Sequence, residues 1–182
     1  MTKEPIIGIL TGSASDLGAA SKAAEVLAEF GVPFEAGIAS AHRTPEDVVN
    51  YASGARGRGI RVIIAMAGLS AALPGVIASH TTLPVIGVPI ASGPLSGADA
   101  LLSVAQMPPG IPVASMGIDG ARNAAILALR IVAVSDDDLA KKLDAWGKKA
   151  ADAVRASRGK ITDMPGIPAI PPSAFDKDKE EG

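Results

Sequence analysis

Short apolar runs alternate along the chain with longer segments whose apolar residues recur every three or four positions. The first run, PIIGILTG at 5–12, is continuous and ends in glycine, which is typical of a buried parallel strand. The segment 15–30 that follows has helical spacing, and Gly31 is placed to end that helix. The same alternation continues to the far end of the chain. It predicts further strands at 33–39, 61–67, 84–88 and 112–116, and further helices at 45–57, 70–79, 97–105, 120–134 and 136–156.

Five strands interleaved with helices predict an α/β fold. We expect a flavodoxin-like three-layer α/β/α sandwich with a five-stranded parallel sheet, plus a long C-terminal helix. One catalytic domain would cover 1–160, and the Pro-rich, charged segment 161–182 would be an extended or disordered tail. Open sheets of this kind bind ligands at the carboxyl ends of their strands. The loops at 12–16, 40–45 and 68–74 would all lie at that edge.

The predicted helix GARNAAILALRIVAV at 120–134 carries information about assembly, because it is apolar nearly all round. Such a helix is usually covered on every side, and one layer of a small domain cannot do that alone. Burial against another subunit is the simplest explanation, so we expect a symmetric homo-oligomer.

Composition narrows the possible functions. The 182 residues include no cysteine, which excludes thiol catalysis, disulfides and thiolate metal sites. A net charge of −2 and 3% aromatic residues give no support for nucleic-acid binding. The N-terminal sequence does not resemble a secretion signal, and no apolar run is long enough for a membrane span, so we expect a cytoplasmic protein.

The most informative segment is SAHRTP at 40–45, where an extended segment ends and a helix begins. His42 carries a side chain whose proton moves near neutral pH, and Arg43 has the planar fork that grips phosphate or carboxylate. Thr44 is expected to cap the helix, with Pro45 in its first turn and Asp47 completing a near capping box. A lone histidine is more often a surface residue, but the neighbouring arginine and the strand-end position favour function.

Two further segments are ambiguous when taken alone. In TGSASD at 11–16, hydroxyls and free amides at a helix start suit a phosphate, and Asp16 could hold ribose hydroxyls, although Ser15 or Asp16 could equally be an ordinary helix cap. The small residues at 67–75 could leave room for a flat substrate or reflect a tight turn. His80, near a helix end, is expected to be a structural or surface residue, and no cluster suggests a metal site.

Together these segments resemble the family of 5-(carboxyamino)imidazole ribonucleotide mutase and aminoimidazole ribonucleotide carboxylase, of purine biosynthesis. The matching pieces cover residues 5 to about 156 and are ordered and spaced as in that family. They are GSASD (12–16), SAHRTP (40–45), ALPG (72–75), LPVIGVP (83–89), LSGADALLSVAQMPPGIPV (95–113) and NAAILA (123–128). The resemblance implies a flavodoxin-like octamer without metal or organic cofactor.

The resemblance also implies roles for particular residues. His42 would be the proton shuttle while CO2 leaves the exocyclic nitrogen of the nucleotide, is retained, and is added to ring carbon 4. Ser13, Asp16 and Arg43 would bind the ribose phosphate, with Ser15 assisting. The remaining expected substrate-binding residues are Gly12, Ser40, Gly68, Ser70 and Ala71.

The alternatives concern the CO2 donor and the activity itself. The mutase class usually has histidine at the position of Ala72, and Ser70 with Asp16-Leu17-Gly18 also leans toward a carboxylase that uses free CO2. Arg43 and the GVP and QMPPG segments lean toward the mutase, which has the more numerous matches. A third alternative is a non-catalytic nucleotide-binding module. Such a module would not need His42, so the SAHRTP segment argues against it. A related carboxylase acting on a nicotinate-derived mononucleotide generally has an extra N-terminal region.

Overall fold

The computed structural model describes residues 4–163, 166 and 168–175 and confirms the predicted fold. Five parallel strands form one sheet in the order β2-β1-β3-β4-β5, the flavodoxin-like order, with helices on both faces. The strands are β1 (Ile7–Thr11), β2 (Phe34–Ile38), β3 (Val62–Gly68), β4 (Val85–Ile90) and β5 (Ala114–Ser115).

The helices agree closely with the predicted segments. They are α1 (Leu17–Glu29), α2 (Pro45–Ala55), α3 (Leu73–Ser79), α4 (Ala98–Ala105), α5 (Ala121–Ala133) and α6 (Asp137–Ser157). Short 3-10 segments lie at Ala14–Asp16, Arg56–Arg58, Arg158–Asp163 and Pro172–Phe175. No helix in the described part of the chain is long and apolar enough to cross a membrane.

The described residues form two compact units, which divide between Ala140 and Lys141. In the second unit, the Arg158 guanidinium lies 4.0 Å from the centroid of the Phe175 ring. The remainder of the predicted tail, 164–165, 167 and 176–182, lies outside the described residues. The assignment of 1–160 to one catalytic domain stays a prediction.

The core of the first unit explains why the central strands have continuous apolar sequences. Strands β1, β3 and β4 are buried along almost their whole length, because α2, α3 and α4 cover one face of the sheet while α1 and α5 cover the other. The edge strand β2 is half-buried to exposed. The three buried strands therefore end at fixed positions, from which the loops at the carboxyl edge project.

One close contact inside this core requires a glycine. Tyr51 on α2 lies across β1, and any side chain at Gly8 would overlap its hydroxyl group. The Tyr51 hydroxyl is buried and has no hydrogen-bond partner among the described residues. Burial, reinforced by the nearby Glu35 carboxylate, raises the pKa of the Tyr51 phenol. Arg58 forms a 3.0 Å ion pair with Glu35, and its guanidinium lies 4.8 Å from the Tyr51 ring centroid.

Three elements differ in detail from the sequence-based expectations. Helix α3 begins at Leu73 rather than at residue 70, because Pro74 lacks an amide hydrogen and fits only in the first turn. Strand β5 pairs with β4 through only two residues, Ala114 and Ser115. Helix α5 buries seven of its residues within its own subunit, against α1, β3 and β4. The oligomer therefore stays a prediction, with less support from this helix than its sequence suggested.

Candidate active site

A cavity of about 510 Å³ opens at the carboxyl ends of the strands, where the fold was expected to bind a ligand. The loops after β1, β2 and β3 form most of its wall, and one residue comes from the loop after β4. The lining residues are Gly12, Ser13, Ser15, Asp16, Ser40, Ala41, His42, Arg43, Ala67, Gly68, Leu69, Ser70, Ala72, Leu73 and Ser92.

The loop after β1 places a buried carboxylate beside two hydroxyl groups. Asp16 is only 8% exposed, and its Oδ1 accepts a 3.1 Å hydrogen bond from the Ser15 hydroxyl. The Ser13 side chain accepts a hydrogen bond from the Ser15 amide and so caps the short 3-10 turn. Asp16 stands at the N-cap of α1 but makes no side-chain capping hydrogen bond. The alternative that Ser15 or Asp16 is an ordinary cap of this helix is thus not supported.

The loop after β2 is organised around the Arg43 guanidinium. Arg43 Nε donates a 3.2 Å hydrogen bond to Ser40 Oγ, and Nη2 donates a 2.8 Å hydrogen bond to the carbonyl of Gly12. Arg43 thereby connects the loops that follow β1 and β2. A guanidinium has five N–H donors, so three are not used in these two hydrogen bonds. Arg43 is also the only lysine or arginine among the described residues that line it.

The expected capping box at the start of α2 is wrong, although Pro45 does occupy its first turn. Thr44 makes no capping hydrogen bond to the helix. Its hydroxyl instead accepts a 3.0 Å hydrogen bond from the Ser40 amide, four residues earlier. This bond closes the loop from residue 40 to residue 44. A threonine hydroxyl can bond to a nearby backbone amide instead of capping the helix that follows it.

His42 is exposed on this closed loop and lines the cavity. Its imidazole makes no hydrogen bond with any described residue, so both ring nitrogens are open to a ligand. His80 differs in each respect. It does not line the cavity, and its Nδ1 lies 2.9 Å from both Ser79 Oγ and the carbonyl of Val76. This arrangement, on an exposed residue, fits the structural or surface role expected for His80.

The loop after β3 forms the opposite part of the wall from small residues and one strained leucine. Leu69 has a φ of 54°, in the left-handed region that is uncommon for a leucine, and is 52% exposed. Ser70 is exposed and Ala72 is half-buried, and both line the cavity. Ala71 is 1% exposed and points away into the core.

The structure thus brings nine of the ten expected site residues to one cavity and leaves out Ala71. The nine are Gly12, Ser13, Ser15, Asp16, Ser40, His42, Arg43, Gly68 and Ser70. Sequence analysis missed Ser92, although the rule that ligands bind at the carboxyl ends of strands applies equally to the loop after β4. The chemical roles assigned to these residues stay predictions.

Comparisons with known proteins identify relatives over most of the chain. The N5-carboxyaminoimidazole ribonucleotide mutase of Pyrococcus horikoshii is 52% identical over 163 residues, covering 90% of this chain and 92% of the relative. The enzyme of the same name from Aquifex aeolicus is 57% identical over 141 residues, covering 78% and 84% respectively.

A solved structure agrees with these relatives. The crystal structure of Treponema denticola PurE superposes with a TM-score of 0.79 at 33% identity and covers 86% of this chain and 98% of that one. The sequence profile described as AIR carboxylase matches residues 6–153, which is most of the chain. The chain belongs to the AIR carboxylase family.

Proposed function

We propose that this protein is an N5-carboxyaminoimidazole ribonucleotide mutase of purine biosynthesis. It converts the N-carboxylated nucleotide into 4-carboxy-5-aminoimidazole ribonucleotide. Relatives that are about half identical to this chain carry the mutase name, and the chain spans nearly their whole length. The single observation that carries the proposal is the cavity in which His42, Arg43 and Asp16 come together from two separate loops.

The end of the cavity beside β1 and β2 suits a ribose phosphate. The Arg43 guanidinium is held in place by Gly12 and Ser40, and its remaining donors can bind phosphate oxygens in its planar fork. The Ser13 hydroxyl adds a neutral donor. The Asp16 carboxylate accepts hydrogen bonds from the ribose hydroxyls, with Ser15 fixing its orientation.

His42 moves the proton in both halves of the reaction. When the bond between the exocyclic nitrogen and the carboxyl carbon breaks, CO2 leaves and the nitrogen takes a proton from the imidazole. Ring carbon 4 then attacks the CO2, and the proton displaced from that carbon returns to the imidazole. Histidine suits both steps because its proton exchanges near neutral pH, and such general acid–base catalysis contributes about 10²- to 10⁴-fold in rate.

The small residues of the loop after β3 suit the retention of CO2 between these two steps. Ala67, Gly68 and Ala72 present little more than backbone and methyl groups to the cavity. A flat ring can therefore lie close to this wall, with the released CO2 held beside it. Holding both reactants together replaces a bimolecular encounter with an effectively unimolecular step.

Ala72 supports a second candidate, an aminoimidazole ribonucleotide carboxylase that uses free CO2. The mutase class usually has histidine at this position. Here the half-buried Ala72 contributes to the cavity wall only a methyl group, which cannot form a hydrogen bond. The family description, AIR carboxylase, is compatible with either reaction. The names of the relatives favour the mutase.

The assembly and the cellular location belong to the same proposal. We expect a homo-oligomer, an octamer by resemblance to the family. We expect the reaction to occur in the cytoplasm, because a charged ribonucleotide does not cross a membrane unaided. Neither metal nor organic cofactor is required by the proposed chemistry.

Turnover on two substrates in parallel tests the proposed function. One is the N5-carboxylated nucleotide in CO2-depleted buffer, and the other is aminoimidazole ribonucleotide with saturating bicarbonate. Rapid conversion of the first supports the mutase. Conversion of the second alone would replace it with the CO2-using carboxylase. Activity on neither would contradict both and favour a binding module.

A further inference from the structure

Ser92, in the loop after β4, carries an unpaired hydroxyl into the cavity. The side chain is half-buried and lines the cavity, yet its hydroxyl makes no hydrogen bond with any described residue. The serines at the other end of the cavity differ from it. Ser40 accepts from Arg43, Ser15 donates to Asp16, and Ser13 accepts from an amide. A hydroxyl that can both donate and accept is therefore open to a ligand at Ser92.

The position of Ser92 is fixed by close packing against the loop after β3. A side chain at Gly68 would overlap the Ser92 hydroxyl and would also lie 3.2 Å from the carbonyl oxygen of Ile90. The glycine thus allows the hydroxyl to approach the backbone of the neighbouring loop. Because Gly68 lines the same cavity, this contact places the hydroxyl at the end of the site formed by β3 and β4.

Asp119 holds the start of the Ser92 loop in place. Its Oδ1 accepts a 3.0 Å hydrogen bond from the amide of Ala91, and its own amide donates a 2.9 Å hydrogen bond to the carbonyl of Pro89. Asp119 has a φ of 57°, which aspartate tolerates better than most residues. Gly97 closes the loop, since a side chain there would lie 3.0 Å from the Ala91 α-carbon. Ser92 is consequently presented by a constrained backbone.

The strand order determines which part of a nucleotide Ser92 would meet. Strand β4 lies two strands from β1, about 10 Å away at ordinary strand spacing, and three strands from β2. With the ribose phosphate held at β1 and β2, the imidazole ring extends toward β3 and β4. The carboxylate on that ring is a charged acceptor that a free hydroxyl can bind, and hydrogen bonds to charged groups are the stronger ones.

We propose that the Ser92 hydroxyl donates a hydrogen bond to the carboxylate of the bound nucleotide, which makes it a specificity-determining residue. The site then favours the carboxylated nucleotide over aminoimidazole ribonucleotide, which lacks that group. This inference rests on the proposed function, because the proposed function supplies the carboxylate.

Calorimetric titration of the full chain with two nucleotides tests the inference. The ligands are 4-carboxy-5-aminoimidazole ribonucleotide and aminoimidazole ribonucleotide, and the proteins are the wild type, Ser92→Ala and Ser96→Ala. Ser96 lies in the same loop, is exposed and does not line the cavity, so it is the matched control. We expect Ser92→Ala to weaken binding of the carboxylated nucleotide about tenfold to a hundredfold. Its affinity for aminoimidazole ribonucleotide should stay within about twofold, and Ser96→Ala should bind both nucleotides like the wild type.

Each other outcome overturns the inference. Equal weakening toward both nucleotides would show that Ser92 only maintains the shape of the cavity. Wild-type affinities in Ser92→Ala would show that its hydroxyl makes no such bond, while the proposed function would stand. If the wild type bound neither nucleotide, the proposed function would fall together with this inference.

Discussion

Arg43 Nη2 donates a 2.8 Å hydrogen bond to the carbonyl of Gly12, which lies 31 residues earlier in the chain. This bond joins the loops after two neighbouring strands, β1 and β2. Arg43 is also the residue that is expected to bind the phosphate of the nucleotide. Arg43 therefore acts in two ways, by holding one wall of the cavity together and by supplying its positive charge.

Replacing Arg43 with lysine separates these two functions. Arg43→Lys keeps the charge but loses the planar fork that bonds to Gly12 and Ser40 simultaneously. We expect its affinity for ribose 5-phosphate to fall about tenfold, and that of Arg43→Ala to fall further. Equilibrium titration measures both. Arg56→Lys is the control, because Arg56 bonds to Thr82 and does not line the cavity. Unchanged binding in Arg43→Lys would show that charge alone suffices.

His42→Asn is expected to abolish turnover while nucleotide binding persists. Asparagine keeps a polar side chain of similar reach but cannot shuttle a proton near neutral pH. The chain provides a natural control, since His80 is its only other histidine and lies outside the cavity. Steady-state assays of His42→Asn and of the control His80→Asn, with titrations for nucleotide binding, make the comparison. Near-normal turnover in His42→Asn would remove the imidazole from the proposed reaction.

Because of Tyr51, we expect the free energy of unfolding to fall at alkaline pH. Burial, with the Glu35 carboxylate adding to it, raises the pKa of the Tyr51 phenol above its ordinary value of about 10. In the unfolded chain the phenol loses its proton at a lower pH than in the folded one. The contribution of the protonated Tyr51 phenol to the free energy of unfolding is therefore fully present below about pH 10. It is lost as the pH rises toward the pKa of Tyr51 in the folded protein.

Denaturant unfolding of the wild type and Tyr51→Phe from pH 8 to pH 11 measures this effect. We expect the wild type to lose more stability than the variant above about pH 10, because phenylalanine has no proton to release. Parallel curves for the two proteins would show that Tyr51 ionises equally easily in both states.

Gly8 and Gly37 provide a matched pair for the packing of α2 against the sheet. A side chain at Gly8 would overlap the Tyr51 hydroxyl, whereas one at Gly37 would meet nothing within 4 Å. We expect Gly8→Ala to lower the free energy of unfolding by about 1–3 kcal/mol, as overpacking does, and Gly37→Ala to leave it nearly unchanged. Equal effects of the two substitutions would show that the Tyr51 ring moves aside without cost.

The fold could be predicted closely because local and long-range signals agree in this sequence. The continuous apolar runs at β1, β3 and β4 match strands that are covered on both faces, so the pattern and the burial coincide. The start of α3 was misplaced because the small residues at 70–72 suit a helix as well as a loop, although Pro74 favours a start close to Leu73. The structure adds a positive φ at Leu69, which breaks the chain direction before the helix. That conformation depends on tertiary packing, which no residue-level pattern records.

The residues of the candidate site could be predicted where the functional side chains lie next to each other in one loop. His42 and Arg43 are adjacent in the sequence, and the strand-end rule placed them correctly at the cavity. Ser92 was missed because its significance comes from its contact with Gly68 and from Asp119, residues distant from it in the chain. Ala71 was included on the family resemblance, but its side chain turns into the core, and only the tertiary structure shows that direction.

Isotope retention tests the proposed mutase reaction most directly. The N5-carboxylated nucleotide, labelled with carbon-13 in its carboxyl group, is turned over in unlabelled bicarbonate, and His42→Asn reports the uncatalysed background. Mass spectrometry then measures the label in 4-carboxy-5-aminoimidazole ribonucleotide. We expect most of the label to be retained, because the released CO2 stays beside the ring. A product whose carboxyl carbon matches the unlabelled bicarbonate pool would contradict the mutase and assign the protein to the carboxylases that use free CO2.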